Sequence, residues 1–445
     1  MVLLSFSHLL HGLPQTGIAE ITVETEVTQE VTYESTTDQS QTVSITSDNN
    51  PGGEFDISRF SPNDPTISPL KNCPTPRPGS RVVGYYVLPD NPQPVSERQF
   101  ESYTDIILSS ITPLPDFTFN FGRSKTTWVT LAKDFVARSE KRCVTPLLGL
   151  GGWDGSRYFS GLVYTPEKRE KFASSIISLM KEVGFRGVDL SWLCEPGVEC
   201  NEISPEDLTN WADFLTLMRS KIPSTWVSIS GYIAGLSGPP QKDEKTRIAY
   251  QKIVKAVSYV ILMTYDVYGS WSETTGPVSP LSDKCNDEGN KFSFQESVKI
   301  YIALSFNPLQ IIPSVPSTSH GWRLVKGDLK DKKFPNGLIS YIYQNHTKEK
   351  LPGGPSDTKP GGLDQCGKPT NYTGTWTVQE LVQTKKLTND LTRGDGGYQR
   401  IFDTCSGTPF ILNKQERILI SYDDVESTIL KTQFVASMGL GGIGL

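Results

Sequence analysis

The stretch Gly184–Leu193, with the sequence GFRGVDLSWL, begins where a helix pattern ends. Thr165–Glu167, TPE, predicts the start of that helix with an N-cap and a proline at the first helical position, and Gly184 supplies its C-terminal stop. The apolar residues between these signals recur at helical spacing: Phe172, Ile176, Leu179, Met180 and Val183. Ser204–Glu206, SPE, repeats the start signal after the strand. This alternation predicts strand–helix units of the kind that build a parallel eight-stranded α/β barrel.

Three side chains of the predicted strand share one face. Side chains alternate between the faces of a strand, so Asp189, Ser191 and Leu193 project the same way, into the mouth of such a barrel. Glu195 continues the same series two residues further on. The face therefore carries a carboxylate, a hydroxyl and an aliphatic side chain in succession.

The strand resembles the DGxDxDxE motif on the fourth barrel strand of glycoside hydrolase family 18, the family of many chitinases. Gly187, Asp189 and Trp192 keep the framework of that motif. The resemblance covers Arg81 to Leu445 and is closest to secreted fungal chitinases. It implies a TIM (β/α)8 barrel and a substrate made of N-acetylglucosamine.

The same resemblance implies that the catalytic groups are lost. Arg186 stands in place of the first Asp, Ser191 in place of the Asp that steadies the acetamido group, and Leu193 in place of the Glu that protonates the glycosidic oxygen. In this family the nucleophile is the N-acetyl oxygen of the substrate, so the protein must supply an acid and polarise the acetamide. Leucine can do neither.

Four further motifs occur in the order of the family. They are Arg81–Val87 (RVVGYYV, with Tyr86) as the first strand, Gly149–Trp153 (GLGGW) as the third-strand turn, Met263–Asp266 (MTYD) with Gly269–Trp271 (GSW) as the sixth-strand motif, and Ile420–Asp424 (ISYDD) as the strand before the last helices. The resemblance implies a sugar-binding groove formed by Trp153, Tyr265, Asp266, Trp271 and Tyr86. The alternative is that these aromatic residues only pack at the barrel mouth.

Three functions remain open. The first is an inactive chitinase-like protein that at most binds chitin or chito-oligosaccharides. The second is an active chitinase with Glu195 as a displaced acid, although Glu195 lies roughly 6–7 Å beyond the usual position. The third is a truncated relative without function, because the chain stops one residue before the Trp that the family places after its eighth strand and lacks the eighth helix.

The net charge and composition of the chain argue against several classes of binding partner. The net charge of −6 over 445 residues argues against nucleic acid or an anionic membrane as partner. No apolar run long enough for a transmembrane helix occurs, and we expect a monomer without metal or cofactor. Of the four histidines, His8 and His11 fall in the leader, and we expect His320 and His346 to be ordinary loop residues.

Residues 1–80 differ from the rest of the chain. Val2–Leu10 is apolar enough for a signal peptide but lacks a basic start, and a Thr/Ser-rich and then Pro-rich stretch follows, which indicates a disordered or glycosylated stalk on a secreted protein. Alternation of Val and Thr between Thr22 and Asn50 could also describe a strand, which would have nothing to pair with. Sequons at Asn345 and Asn371 agree with the secretory pathway.

Seven cysteines leave at least one unpaired. We predict the bridges Cys366–Cys405 and Cys200–Cys285, leave Cys73 and Cys194 without a partner, and expect Cys143 to be a buried apolar residue. Residues 320–415 resemble the α+β lobe that the family inserts beside its groove. Pro313 and Pro316 interrupt the strand before this lobe, where proline is poorly tolerated.

Overall fold

The computed structural model describes residues 30–31, 43–44, 73, 79–88, 100–193, 200–236, 243–285, 291–334, 337–364 and 366–445. The strands are β1 (Glu30–Val31), β2 (Val43–Ser44), β3 (Arg81–Val87), β4 (Asp105–Pro113), β5 (Phe119–Asn120), β6 (Thr145–Gly151), β7 (Gly187–Ser191), β8 (Trp226–Tyr232), β9 (Tyr259–Met263), β10 (Ile311–Pro313), β11 (Thr318–Arg323), β12 (Lys332–Lys333), β13 (Ile339–Ser340), β14 (Thr375–Thr377), β15 (Gln399–Asp403), β16 (Thr408–Asn413), β17 (Ile418–Ser421) and β18 (Gly442–Gly444). The helices are α1 (Lys125–Lys141), α2 (Phe159–Val163), α3 (Pro166–Val183), α4 (Asp207–Lys221), α5 (Glu244–Ala256), α6 (Phe294–Ala303), α7 (Val378–Gln383) and α8 (Val425–Ser437).

Eight parallel strands form the barrel, in the order β3, β4, β6, β7, β8, β9, β10 and β18. The ring closes because β18 pairs with β3 on one side and Gly444 bridges to Ser314, next to β10, on the other. The predicted α/β barrel is confirmed, with β7 as its fourth strand. Pro313 is the last residue of the three-residue strand β10 and is still paired with Leu262 of β9, and the Ser314 amide donates to the Leu262 carbonyl at 3.0 Å. The barrel strand therefore tolerates this proline.

Local signals set the helix ends around β7. The hydroxyl of Thr165 accepts a hydrogen bond from the Lys168 amide, Pro166 opens α3, and Gly184 ends it with φ of 100°. Helix α4 starts at Asp207, slightly later than SPE predicted, because Asp207 accepts from the Ser204 amide and so holds the turn before the helix.

The main core lies between the barrel and its helices. Trp192, just after β7, stacks on Phe159 of α2 with ring centroids 5.6 Å apart and meets Trp211 of α4 edge-on at 5.2 Å. Phe172 and Phe214 extend this aromatic cluster. Trp192 therefore packs in the core.

A second sheet forms the lobe beside the barrel. Its five antiparallel strands run in the order β14, β11, β17, β16 and β15, and α7 follows β14 directly. The sheet spans Thr318 to Ser421, so β17, which we read as the strand before the last helices, pairs with lobe strands on both sides. The asparagines of both sequons, Asn345 and Asn371, are exposed on this inserted segment.

The predicted disulfides are wrong. The structure pairs Cys73 with Cys143, Cys200 with Cys366 and Cys285 with Cys405. Cys143 is therefore a bridge partner rather than a free apolar residue. Two of the bridges join a barrel loop to the lobe, which sequence spacing could not reveal because the partners are 166 and 120 residues apart.

Several expectations fall on residues outside the described ranges. They include the leader, most of the stalk, Cys194 and Glu195. Within residues 1–80 the structure describes β1, β2, Cys73, Gly79 and Ser80, and the two-residue strands β1 and β2 pair with each other. In the described part of the chain, no helix has the length and apolar character to cross a membrane, and no group of three or more metal-ligating residues occurs.

Candidate functional site

Asp189 lies at the centre of a hydrogen-bonded network inside the barrel. Its side chain is 0% exposed. Ser228 donates to one carboxylate oxygen at 2.6 Å and Ser191 to the other at 2.7 Å, while the Tyr85 hydroxyl lies 3.4 Å from the second oxygen. Burial raises the pKa of Asp189, and the hydroxyl donors oppose that rise. Asp189 is thus held by protein groups on both oxygens.

Ser191 extends the network across the barrel. Its hydroxyl lies 2.6 Å from that of Ser230 on the neighbouring strand β8, and Tyr85 lies 3.4 Å from the same Ser230 oxygen. The side chains come from three barrel strands, as expected for inward-facing positions with period two. At Ser191 this interior therefore presents a hydroxyl, where the family motif has a carboxylate.

Leu193 follows two residues after the end of β7 and is only 6% exposed. Its amide donates to the Ser156 hydroxyl at 2.8 Å, and its carbonyl accepts from Asn201 at 2.9 Å. The backbone at this position is therefore held on both sides, while the side chain offers no proton.

Arg186 lies at the opposite end of β7 from this site. It forms an ion pair with Glu140 of α1, and its amide donates to the carbonyl of Pro146. Arg186 lies five positions before Ser191 along the strand, a distance of roughly 16 Å. Arg186 therefore has a structural role at the amino end of the barrel, whereas active sites of this architecture lie at the carboxyl end.

The turn after β6 places Trp153 at the carboxyl end of the barrel, next to the end of β7. Gly151 adopts φ of 94°, and a Cβ there would lie 2.3 Å from the Ser191 carbonyl oxygen, so only glycine allows the turn to pass this close. The Gly152 amide also donates to that carbonyl at 2.8 Å. Trp153 follows directly and is 57% exposed.

Asp266, His320 and Trp271 form a rim beside the barrel mouth. His320 Nε2 lies 2.8 Å from Asp266 Oδ1, and Thr375 Oγ1 lies 3.4 Å from the other ring nitrogen. The Trp271 ring meets His320 edge-on at 5.1 Å and is itself 60% exposed. His320 is buried on strand β11, so the expectation of an ordinary loop residue is wrong. Its role depends on lobe pairing, which no local sequence signal announced.

Tyr265 borders a cavity of about 640 Å³ at the carboxyl ends of the strands. The lining also includes Tyr85, Ser314, Pro316, Glu380 and Leu445. Desolvation of its half-buried phenol raises the pKa of Tyr265, and the neighbouring Asp266 charge adds to the rise. Tyr265 is therefore a neutral hydroxyl at physiological pH, able to donate a hydrogen bond.

Tyr86 is not at this site, which corrects the sequence expectation. It is buried and stacks on Phe135 of α1 with centroids 5.5 Å apart, in the layer between barrel and helices. The preceding residue, Tyr85, faces the interior and contacts Asp189. Alternation along β3 places the two tyrosines on opposite faces of the strand.

Comparisons with known proteins agree with the family resemblance and with the barrel fold. The sequence profile of the Glycosyl hydrolases family 18 matches residues 81–445. A "chitinase-like effector" of Moniliophthora roreri is 30% identical over 325 residues, covering 70% of this chain and 76% of the relative. A chitinase structure from Rhizomucor miehei superposes with a TM-score of 0.70 at 21% identity, covering 82% of this chain and 94% of that one.

A third similar structure is that of a chitinase catalytic domain with a single substitution. The second catalytic domain of the Ostrinia furnacalis Group II chitinase, solved with a Glu-to-Leu substitution and a bound chito-oligosaccharide, superposes with a TM-score of 0.61 at 21% identity. The coverage is 82% of this chain and 89% of that one.

Proposed function

The chain belongs to glycosyl hydrolase family 18, and from this premise we propose that it binds chitin or chito-oligosaccharides, polymers of β-1,4-linked N-acetylglucosamine, without hydrolysing them. The observation that carries the proposal is Leu193, two residues after the end of β7, buried and without a titratable group. It stands in place of the Glu that the family motif uses as general acid.

Loss of catalysis follows from the chemistry of the missing groups. A general acid must lie within hydrogen-bond reach of the leaving oxygen, and its loss costs about 10²–10⁴-fold in rate. Ser191 compounds this loss because its hydroxyl bonds to Asp189 and Ser230 and carries no charge with which to polarise an acetamide. Asp189 itself is fully buried and bonded on both oxygens.

Retention of binding is supported by the exposed aromatic residues. Sugar sites combine aromatic surfaces with a few placed polar groups. Trp153 and Trp271 each expose more than half of their side chain, with Asp266 and Tyr265 between β9 and the Trp271 turn. A related catalytic domain with a Glu-to-Leu substitution holds a chito-oligosaccharide, and a relative is named a "chitinase-like effector".

The proposed place of action is outside the cell. Three disulfides suit an oxidising compartment, and the asparagines of both sequons are exposed. We propose a secreted glycoprotein of fungal type that acts as a monomer.

The first experiment measures hydrolysis. The purified protein should release no product from fluorogenic chito-oligosaccharides above background at any pH from acid to neutral. Turnover that disappears in Glu195→Ala would instead establish the displaced acid.

The second experiment measures binding by a chitin pull-down and by calorimetry with a chito-oligosaccharide. Trp153→Ala or Tyr265→Phe should weaken binding by roughly 1–2 kcal/mol, about five- to thirtyfold. Tyr33→Ala, in the stalk, is the matched control and should change nothing. Absence of heat from a protein shown to be folded by circular dichroism would contradict the proposal and favour a relative without function.

A further inference from the structure

The segment that carries the first sequon lies along the turn that carries Trp271. Asn345 bridges to Thr274 in antiparallel fashion, and the Thr275 amide donates to the carbonyl of Gln344 at 2.9 Å. The side chain of His346 contacts the Ser272 carbonyl at 2.9 Å. The two segments are therefore bonded together on both sides of Asn345.

Asn345 meets the requirements of a modified residue. It is followed by His346 and Thr347 as the acceptor sequence demands, and both Asn345 and Thr347 are exposed. Its side-chain amide makes no hydrogen bond with the described residues, whereas the side-chain Oδ1 of Asn371 accepts from the Tyr372 backbone amide. The three disulfides indicate the compartment in which such modification occurs.

Asn345 is also close to the exposed indole at the rim. Trp271 lies three residues from Thr274, the strand partner of Asn345, which places it at most about 11 Å from Thr274 along the chain. Trp271 is 60% exposed and meets the His320 ring edge-on, with the ring centroids 5.1 Å apart. A short oligosaccharide on Asn345 spans a comparable distance.

We propose that Asn345 carries an N-linked glycan whose first two sugars lie against Trp271 and compete with ligand at the rim. In the modification, Asn345 Nδ2 bonds to the anomeric carbon of the first sugar of a polyprenyl-diphosphate oligosaccharide, the diphosphate leaves, and the amide loses one proton. The first two sugars of such a glycan are β-1,4-linked N-acetylglucosamine, the chemistry of the ligand proposed above. The competition rests on that proposed function, whereas the modification does not.

The fraction of time for which the glycan covers Trp271 follows from its covalent attachment at Asn345. A group on a short tether has an effective concentration on the order of millimolar, so a contact of millimolar affinity would cover Trp271 for about half of the time. Chemical attack on the indole should then slow about twofold in the glycosylated protein.

The first arm of the test measures occupancy. The full chain is expressed with its own N-terminus in a yeast host, and the peptide with Asn345 is analysed by mass spectrometry after enzymatic glycan release in ¹⁸O-water. We expect the label on Asn345 in the wild type and in Thr347→Ser, which keeps the acceptor sequence. No label should appear in Thr347→Ala. An unlabelled wild-type peptide would overturn the proposal.

The second arm measures contact without any chitin ligand. Oxidation of Trp271 by N-bromosuccinimide should be about twofold slower in the wild type than in Asn345→Gln and Thr347→Ala, with Trp153 oxidised at equal rates in all three as the internal control. Equal rates for Trp271 in a protein with an occupied Asn345 would overturn the contact. Binding of chito-oligosaccharide by Asn345→Gln tests the proposed function separately.

Discussion

At the scale of single residues, the interior of the barrel holds one polar network beside an apolar layer formed by Val83, Ile107, Leu147, Tyr259, Ile261 and Ile312. Asp189 meets hydroxyls from Ser228 and Ser191, and Leu193 closes the end of the strand. The network satisfies a buried carboxyl, which would otherwise be costly. It thereby stabilises the fold.

Restoring one lost group should not restore catalysis. Leu193→Glu alone is expected to leave hydrolysis at background, because Ser191 cannot polarise an acetamide or tune the pKa of the new carboxyl. Ser191→Asp combined with Leu193→Glu should exceed either single variant by about 10²-fold or more in a fluorogenic assay. Ser191→Asp with Leu193→Gln is the matched control. Strong turnover by the single Glu variant would show that Ser191 is not limiting.

Asp189 should make stability depend on pH. Its pKa in the folded protein lies above the value of about 3.9 in an unfolded chain, so the folded state binds the proton more tightly. Its contribution to the free energy of unfolding is therefore largest below the unfolded pKa and is lost as the pH rises through the folded pKa. In urea denaturation, the difference between wild type and Asp189→Asn should fall across that window. A difference that rises with pH would contradict the assignment.

At the scale of elements, a buried ion pair joins the lobe sheet to helix α8. Lys431 is 0% exposed, and its ammonium group donates to both carboxylate oxygens of Asp423 at 2.7 and 2.8 Å and to the Ser279 hydroxyl at 2.7 Å. Asp423 follows β17 and Lys431 lies two turns into α8. All three donors of the ammonium group are thus satisfied.

Removing one partner of this pair should be costly. Lys431→Met leaves the buried Asp423 without its cation and is expected to lower the free energy of unfolding by about 3–5 kcal/mol in chemical denaturation. Lys431→Met with Asp423→Leu should recover most of that loss, because neither charge remains buried. Lys133→Met, at an exposed position of α1, is the control. A loss below about 1 kcal/mol for Lys431→Met would contradict the prediction.

At the scale of the whole molecule, two disulfides attach the lobe to the barrel. Cys200 and Cys285 lie in barrel loops, and Cys366 and Cys405 lie in the lobe. Both bridges close loops of more than 100 residues, where cross-links restrict the unfolded chain most. The lobe that carries His320 is thereby fixed beside Asp266.

Loss of one such bridge should loosen the lobe. Cys285→Ser with Cys405→Ser is expected to lower the free energy of unfolding by roughly 2–5 kcal/mol and to speed limited proteolysis within residues 320–415. Cys73→Ser with Cys143→Ser, a bridge that does not touch the lobe, should leave proteolysis of that segment unchanged. Equal rates of lobe cleavage in both double variants would show that the Cys285–Cys405 bridge does not hold the lobe to the barrel.

The sequence by itself determined the barrel and the residue that follows its fourth strand at position 193. The ends of α3 follow from Thr165, Pro166 and Gly184 because caps act over three or four residues. The identity of Leu193 is a property of the sequence, and period-two alternation placed Asp189 and Ser191 on one face.

Only the tertiary structure decided which distant residues meet. His320 contacts Asp266 across 54 residues, Lys431 contacts Ser279 across 152, and the disulfide partners lie further from one another than any local pattern extends. The sequence already indicates that Tyr85 and Tyr86 lie on opposite faces of β3. Which of the two tyrosines faces the barrel interior depended on how β3 pairs with β4 and β18. Barrel closure and lobe docking create these contacts, and both depend on the summed packing of many elements rather than on any short stretch of chain.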